Sequence, residues 1–404
     1  MGARPFELLE SKLRPPGIDE RSVPRTALVD KLNREPGPPI AVLCAGPGYG
    51  KTTALAQWAE SREQRSLAWL ALDRHDNDPV VLLTYLAAAL DRISPIDPGV
   101  FEALASMGVS IEALVVPRLG AALAGMPGPV VLVLDDLQTI HNPQCIDAIV
   151  ALAAQLPTDS RLALSARDQS ALPLGLLRAR ALTLELGPED LRMGEDEARR
   201  LLDATPVDFS DDDIAELVRR TEGWPAGLYL AALSAGANGH GDAGALTGND
   251  PFVVDFLRSE FLAYLPADEL GFLTRTSMLD ELSGPLCDAV LATGGSAAML
   301  ESLEHSNQFV VALDRDRAWY RCHPLVRELL AAELTRSEPE LVSELLGRAF
   351  DWCAENGREI AAIAYGQSSG DADRVAAAME RCVQPVFQSG RSATVEQWFA
   401  WLEA

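Results

Sequence analysis

PPIAVLCAGPGYGKTTALAQW, residues 38–58, is an apolar run that ends in glycines and passes into a helical pattern. The run PPIAVLCA (38–45) has the composition of a buried strand, and Thr52–Arg62 has the spacing of a helix. Between them stand Gly46, Pro47, Gly48, Tyr49, Gly50, Lys51, Thr52 and Thr53. A phosphate-binding loop requires Gly, four residues, then Gly-Lys-Ser/Thr. Gly50-Lys51-Thr52 satisfy the second half, with Ala45 in place of the first glycine. About 0.02–0.03 matches to that triplet are expected by chance in a chain of this composition, and a strand before and a helix after reduce the expectation further. The chemistry fits the residue types. Glycines let backbone N–H groups curl around an anion, and a helix N-terminus adds positive potential. Lys51 supplies a compact charge to the β- and γ-phosphates, and Thr52 a hydroxyl to Mg²⁺.

The partner of such a loop is a strand that ends in a carboxylate. PVVLVLDD (129–136) is apolar throughout until its paired aspartates, as expected of an interior parallel strand. Asp135 is the candidate water-mediated Mg²⁺ ligand, and Asp136 the candidate base that orients attacking water. Helix-capping aspartates are the bland alternative at a strand end. No NKxD guanine motif and no LSGGQ-type signature occur, which favours ATP over GTP and disfavours a transporter ATPase.

Outward from these motifs, strands and helices alternate over 38–186: SLAWLALD (66–73), Pro79–Ile93, Ile111–Met126, Pro143–Leu156, RLALSAR (161–167) and ALTLEL (181–186). The pattern predicts a doubly wound parallel sheet. Helical patterns follow at Glu195–Ala204 and Asp211–Arg220, then GWPAGLYLAALSA (223–235) and a Gly-rich stretch, 236–250. Short helices over 252–305, a hairpin with its tip at Asp314–Arg317 and a further helix predict a winged-helix unit. From Pro339 onward only helix pairs are visible. They read as the start of a superhelical arm resembling tetratricopeptide repeats, with more repeats expected beyond Ala404. The expected organisation is an N-terminal segment (1–37), a P-loop nucleotide-binding domain (38–187), a helical domain (188–265), a winged-helix domain (266–335) and the start of the arm (336–404).

These motifs resemble the signal-transduction ATPases with numerous domains, and among them the MalT-like group of LuxR-type bacterial transcriptional regulators. The resemblance rests on KLRPP (12–16), VPRTALVDKL (23–32), AGPGYGKTT (45–53), WLALDRHDNDP (69–79), VLVLDDLQTIHNP (132–143), LSARDQSALPL (164–174), EGWPAGL (222–228) and YRCHPLVRELL (320–330). It implies a switch that rests closed on ADP, exchanges it for ATP when an inducer binds the helical arm, and then self-associates. It further implies that Arg167 senses the γ-phosphate, that Pro225 packs on the adenine, that His323 touches the ADP β-phosphate, and that Val23 and Arg25 line the adenine pocket. Each has a bland alternative: a solvated strand-end arginine, a helix-starting proline, a core or capping histidine. Asp76 and Asn77 belong to the resemblance without an evident physical role. The family's DNA-binding effector does not occur before Ala404, so the effector is either a helix-turn-helix or another module, such as a kinase.

Composition limits the partners. The chain has 404 residues, 48% apolar and 23% charged, and no apolar run approaches the roughly 20 residues that span a bilayer. Six scattered cysteines with no CxxC pair argue against a disulfide framework or zinc site and for a reducing cytoplasm. With a net charge of −25, no DNA contact is expected from this segment itself. Lysine occurs only at Lys12, Lys31 and Lys51 against 31 arginines, so a lysine retained here is expected to do what arginine does not. Two other readings of the P-loop exist: a motor or transferase, with Arg178 or Arg180 as a neighbour's arginine finger, and a non-enzymatic scaffold stabilised by nucleotide.

Overall fold

A computed structural model describes residues 6, 8–18, 22–34, 37–61, 66–106, 110–168, 183–205, 207–238, 247–306, 309–388 and 392–403. The chain divides into two compact units, Met1–Ala245 with His305–Asn307, and Leu246–Glu304 with Gln308–Ala404.

In the first unit β1 (Ile40–Cys44), β2 (Ser66–Ala71), β3 (Val130–Asp135), β4 (Arg161–Ala166) and β5 (Thr183–Leu186) form one sheet in the order β2-β3-β4-β1-β5. Every neighbouring pair is parallel. Side chains alternate across it with a period of two. Ile40, Val42, Leu132, Leu134, Leu162 and Leu164 pack with α3 (Pro79–Asp91), α4 (Gly99–Leu104), α5 (Val116–Ala124) and α6 (Pro143–Ala153). Ala41, Leu43, Trp69, Val131, Val133 and Ala163 belong to a second core with α1 (Thr26–Asn33) and α2 (Lys51–Glu60). Because both faces are covered, β1, β3 and β4 are buried at every position, which is why they read as unbroken apolar runs. Their parallel register brings Cys44 beside Ala166 and Ala71 beside Asp135, so the loop after β1 and the ends of β3 and β4 open on the same sheet edge.

The helix expected over Ile111–Met126 is not uniform. A π-helical turn, Ile111–Val115, capped by Ser110, precedes α5. Pro117 stands in the first turn of α5. It lacks an N–H and its ring clashes with the carbonyl four residues back, so a regular α-helical ladder cannot run through it, and the wider π turn leads directly into α5. Helix α4 was not anticipated; its six residues are too few to show a period.

Beyond the sheet the first unit continues as α7 (Pro188–Leu191), α8 (Glu195–Asp203), α9 (Asp211–Thr221) and α10 (Pro225–Asn238). The second unit runs α11 (Pro251–Glu260), α12 (Ala267–Thr276), α13 (Gly284–Leu291) and α14 (Ser296–His305), then the antiparallel hairpin β6 (Val310–Ala312) and β7 (Tyr320–Cys322). It ends in α15 (Pro324–Ser337), α16 (Pro339–Glu355), α17 (Glu359–Ser369), α18 (Ala372–Gln388) and α19 (Ser392–Glu403), with each of the last four packed on its predecessor. No helix among the described residues is long and apolar enough to cross a membrane. The six cysteines are buried and form no disulfide.

Candidate functional site

Helix α2 begins at Lys51, immediately after Gly50 in the left-handed conformation (φ 74°), and Gly48 has φ 75°. Side chains rarely tolerate that region, so both glycines are needed for the curl. The loop's carbonyls are engaged. Lys51 Nζ donates to Ala45 O at 2.7 Å and Gly46 O at 2.9 Å. Trp224 Nε1 donates to Pro47 O at 3.0 Å, and Ala226 N to Gly48 O at 3.1 Å. Four consecutive acceptors are thus turned to protein donors. Burial lowers the Lys51 ammonium from 10.5 to about 8. The charges of Asp136 and Asp135 pull it back up, and the Arg167 charge pushes it further down. All three groups therefore lie within electrostatic reach of Lys51.

Asp135 is buried at the end of β3 and accepts a short hydrogen bond from Ser165 Oγ on β4. Burial pushes its carboxyl up, bonds from Ser165 and Thr52 oppose this, and the Asp136 charge adds to it. The Thr52 hydroxyl at the start of α2 is near enough to the β3 carboxylate to act on it, so the two sequence-predicted Mg²⁺ ligands are neighbours. Asp136 takes a left-handed backbone (φ 63°, ψ 45°), a conformation that costs an aspartate roughly 1 kcal/mol. Two neighbours hold it. Its N–H donates to Ser165 Oγ at 2.9 Å, and Gln138 Nε2 donates to its Oδ1 at 2.9 Å. Gln138 Oε1 in turn accepts from Arg167 N at 3.0 Å, which ties the carboxylate to the end of β4. Ser165 and Gln138 were not singled out from sequence, because a polar residue on an apolar strand or in a loop carries no marker of its partner. Among the described residues no group of three or more His, Cys, Asp or Glu side chains is placed to enclose a metal ion. One hydroxyl beside one carboxylate is the hard-oxygen set with which Mg²⁺ is held when phosphates and water complete its shell.

The Gly-Trp-Pro motif docks on the same loop. Gly223 has φ 73°, and a Cβ there would lie 2.4 Å from Met193 O. Trp224 is fully buried, and Pro225 is the first residue of α10. Arg25 has a different setting from the adenine lining expected of it. Its guanidinium bonds Glu197 Oε1 (3.1 Å), Leu191 O (2.6 Å) and Arg192 O (3.1 Å), binding the N-terminal segment to α7 and α8. Val23 is buried, and its carbonyl accepts from Gln57 Nε2 at 2.9 Å. His323 belongs to the second unit, where it is buried ahead of α15. Its N–H donates to Phe309 O at 2.7 Å, and its ring meets Phe309 edge-on at 5.5 Å between centroids. Arg178 and Arg180 lie outside the described residues. A cavity of about 660 Å³ in the second unit has Trp319, Arg358 and Tyr365 in its wall, but Arg358 is already paired with Glu281 at 2.6 Å and lies over Trp319.

Lysine usage is partly explained. Lys12 is buried, bonded to Asp76 Oδ2 at 2.5 Å and 4.4 Å from the centre of the Tyr85 ring. Lys31 instead makes an exposed pair with Asp190, a role arginine would serve as well.

Residues 258–342 match the family described as the MalT winged helix domain. In that stretch the chain is similar to MalT. It is 30% identical over 378 residues to the HTH-type transcriptional regulator MalT of Klebsiella pneumoniae, covering 90% of this chain and 41% of that protein. It is also 30% identical over 379 residues to the serine/threonine-protein kinase PknK of Mycobacterium tuberculosis, covering 92% of this chain and 34% of that one. The chain therefore spans between a third and a half of the length of these relatives. Among solved structures it is similar to a Walker-type ATPase of Pyrococcus abyssi, with TM-score 0.55 and 17% identity, covering 79% of this chain and 98% of the other, so the two share a fold.

Proposed function

We propose that this chain is the ATP/ADP-dependent switch of a MalT-like regulator and a slow ATPase. The observation that carries the reading is the meeting of Lys51, Thr52, Asp135, Asp136 and Arg167 where β1, β3 and β4 end. Residues 46–53 would cradle the phosphates, with Lys51 on the β- and γ-oxygens. Thr52 and Asp135 would hold Mg²⁺, which when bound neutralises phosphate charge. Asp136, left-handed and held by Gln138, would orient water for attack on the γ-phosphate, and Arg167 would sense that phosphate. Pro225 and Val23 are assigned to the adenine side, together with the backbone of Arg25, whose side chain is otherwise engaged. His323 is assigned to the ADP β-phosphate on the strength of the resemblance. Hydrolysis would return the switch to rest, and ATP bound in exchange for ADP would permit self-association once an inducer engages the helical arm. A cytoplasmic location goes with this reading. The same switch joined to a protein kinase is the second reading, favoured by the similarity to PknK.

The test is to denature the purified protein and identify the nucleotide released, and then to compare wild type with Lys51→Ala in binding and turnover. An adenine nucleotide, slow turnover and loss of both in Lys51→Ala are the expected results. Unchanged ADP affinity in Lys51→Ala would overturn the assignment.

A further inference from the structure

The DRHDN segment, residues 73–77, has no place in the site as described, yet it reaches that site from below. A turn of 3₁₀ helix, Arg74–Asn77, follows β2 and is locked at its start by Asp73 and Asp76. Asp73 Oδ1 accepts from His75 N at 2.7 Å, and Asp76 Oδ2 accepts from Asp73 N at 2.7 Å. Asp76 is completely buried, and the Lys12 ammonium sits 2.5 Å from that same oxygen. A buried charge pair fixed by further hydrogen bonds is a rigid anchor.

From this anchor Asn77 extends one oxygen to two consecutive backbone donors. Asn77 Oδ1 accepts from His141 N and from Asn142 N, each at 2.7 Å. Asn142 Nδ2 returns a bond to Asn77 O at 3.2 Å, and Cys145 Sγ approaches Asp76 O at 3.7 Å. Residues 136–142 are the loop that leaves β3 with Asp136 and enters α6, whose first turn Asn142 caps through Gln144 N at 3.0 Å. The near end of that loop is held by Ser165 and Gln138, and its far end by Asn77. A left-handed aspartate is held in place by the structure around it, here at both ends of the loop.

We propose that Asn77 is a positioning residue for Asp136: it fixes the far end of the loop and so keeps the carboxylate where it can orient water. This rests on the reading of Asp136 as the base. The acceptor oxygen does the work, since both bonds run into Oδ1. Asn77→Asp keeps an acceptor there, and Asn77→Ala removes it.

The experiment measures single-turnover ATP hydrolysis and ADP affinity on the 404-residue chain for wild type, Asn77→Ala, Asn77→Asp and Asp136→Asn. A displacement of about 1 Å costs on the order of 100-fold in rate, so Asn77→Ala is expected to hydrolyse at least tenfold more slowly. Its ADP affinity should stay within about twofold of wild type, because the phosphate loop is untouched. Asn77→Asp should recover most of the rate. Wild-type hydrolysis in Asn77→Ala beside slow hydrolysis in Asp136→Asn would overturn the positioning role alone. Parallel loss of ADP binding in Asn77→Ala, or equal slowing in Asn77→Asp, would overturn it as well. An unaffected Asp136→Asn, or a wild type without hydrolysis, would remove the base and this inference with it.

Discussion

Raising the pH through about 8 should release ADP, and Lys51 sets the window. Burial lowers its ammonium from 10.5 to about 8 in the protein without nucleotide. That difference corresponds to about 3 kcal/mol held against the charged form. For folding alone, a lowered lysine pKa means the penalty is present below about 8 and is relieved as the pH climbs toward 10.5. Binding has the opposite sign. A phosphate beside Nζ stabilises the ammonium and raises its pKa, so affinity is greatest below about pH 8 and falls by up to about tenfold per pH unit above it. Between about pH 7 and 9 the charged fraction of free Lys51 drops from roughly ten-elevenths to one-eleventh. The dissociation constant of ADP should weaken about tenfold, or ~1.4 kcal/mol. A phosphate with a second pKa near 6 stays ionised across that range, so the ligand contributes little of the change. Calorimetric titration of ADP at a series of pH values, in buffers of differing ionisation heat, measures both the slope and the proton taken up. A flat affinity over this range, or the same slope in Lys51→Ala, would refute the reasoning.

Lys12→Met should destabilise the first unit by about 3–5 kcal/mol, because it leaves Asp76 buried without its cation; urea unfolding followed by fluorescence measures it. His323→Ala is expected to speed ADP release by about ten- to a hundredfold while ATP binding survives, since a charge-assisted bond to phosphate contributes about 1.5–3 kcal/mol. Stopped-flow off-rates decide this, and equal rates would leave His323 a packing residue against Phe309.

The strands were legible because both-face burial makes them continuous apolar runs, and the loop because few residue types permit its backbone. Asp135 and Asp136 were legible for a related reason: charge at the end of an apolar strand is conspicuous. What escaped reading was pairwise and distant. Nothing near Gln138 announces Asp136 on one side and Arg167 on the other, and Asn77 lies 64 residues from the first N–H it accepts. Arg25 shows the converse limit. Its motif suggests a nucleotide neighbour, and nothing in that motif announces that the guanidinium, with five donors, takes the carbonyls at the end of α7. The lysine bias draws attention to Lys51 and also to Lys12, whose use is visible only through a carboxylate 64 positions away.

The bonds from Trp224 and Ala226 to the phosphate loop have a mechanical meaning. They join the loop's backbone to the very start of α10, a helix of 14 residues and so about 21 Å long. A helix is stiff over that length, so it behaves as a lever whose short arm is clamped to the carbonyls of Pro47 and Gly48. A tilt of those two peptide planes would have to move the start of α10 with them.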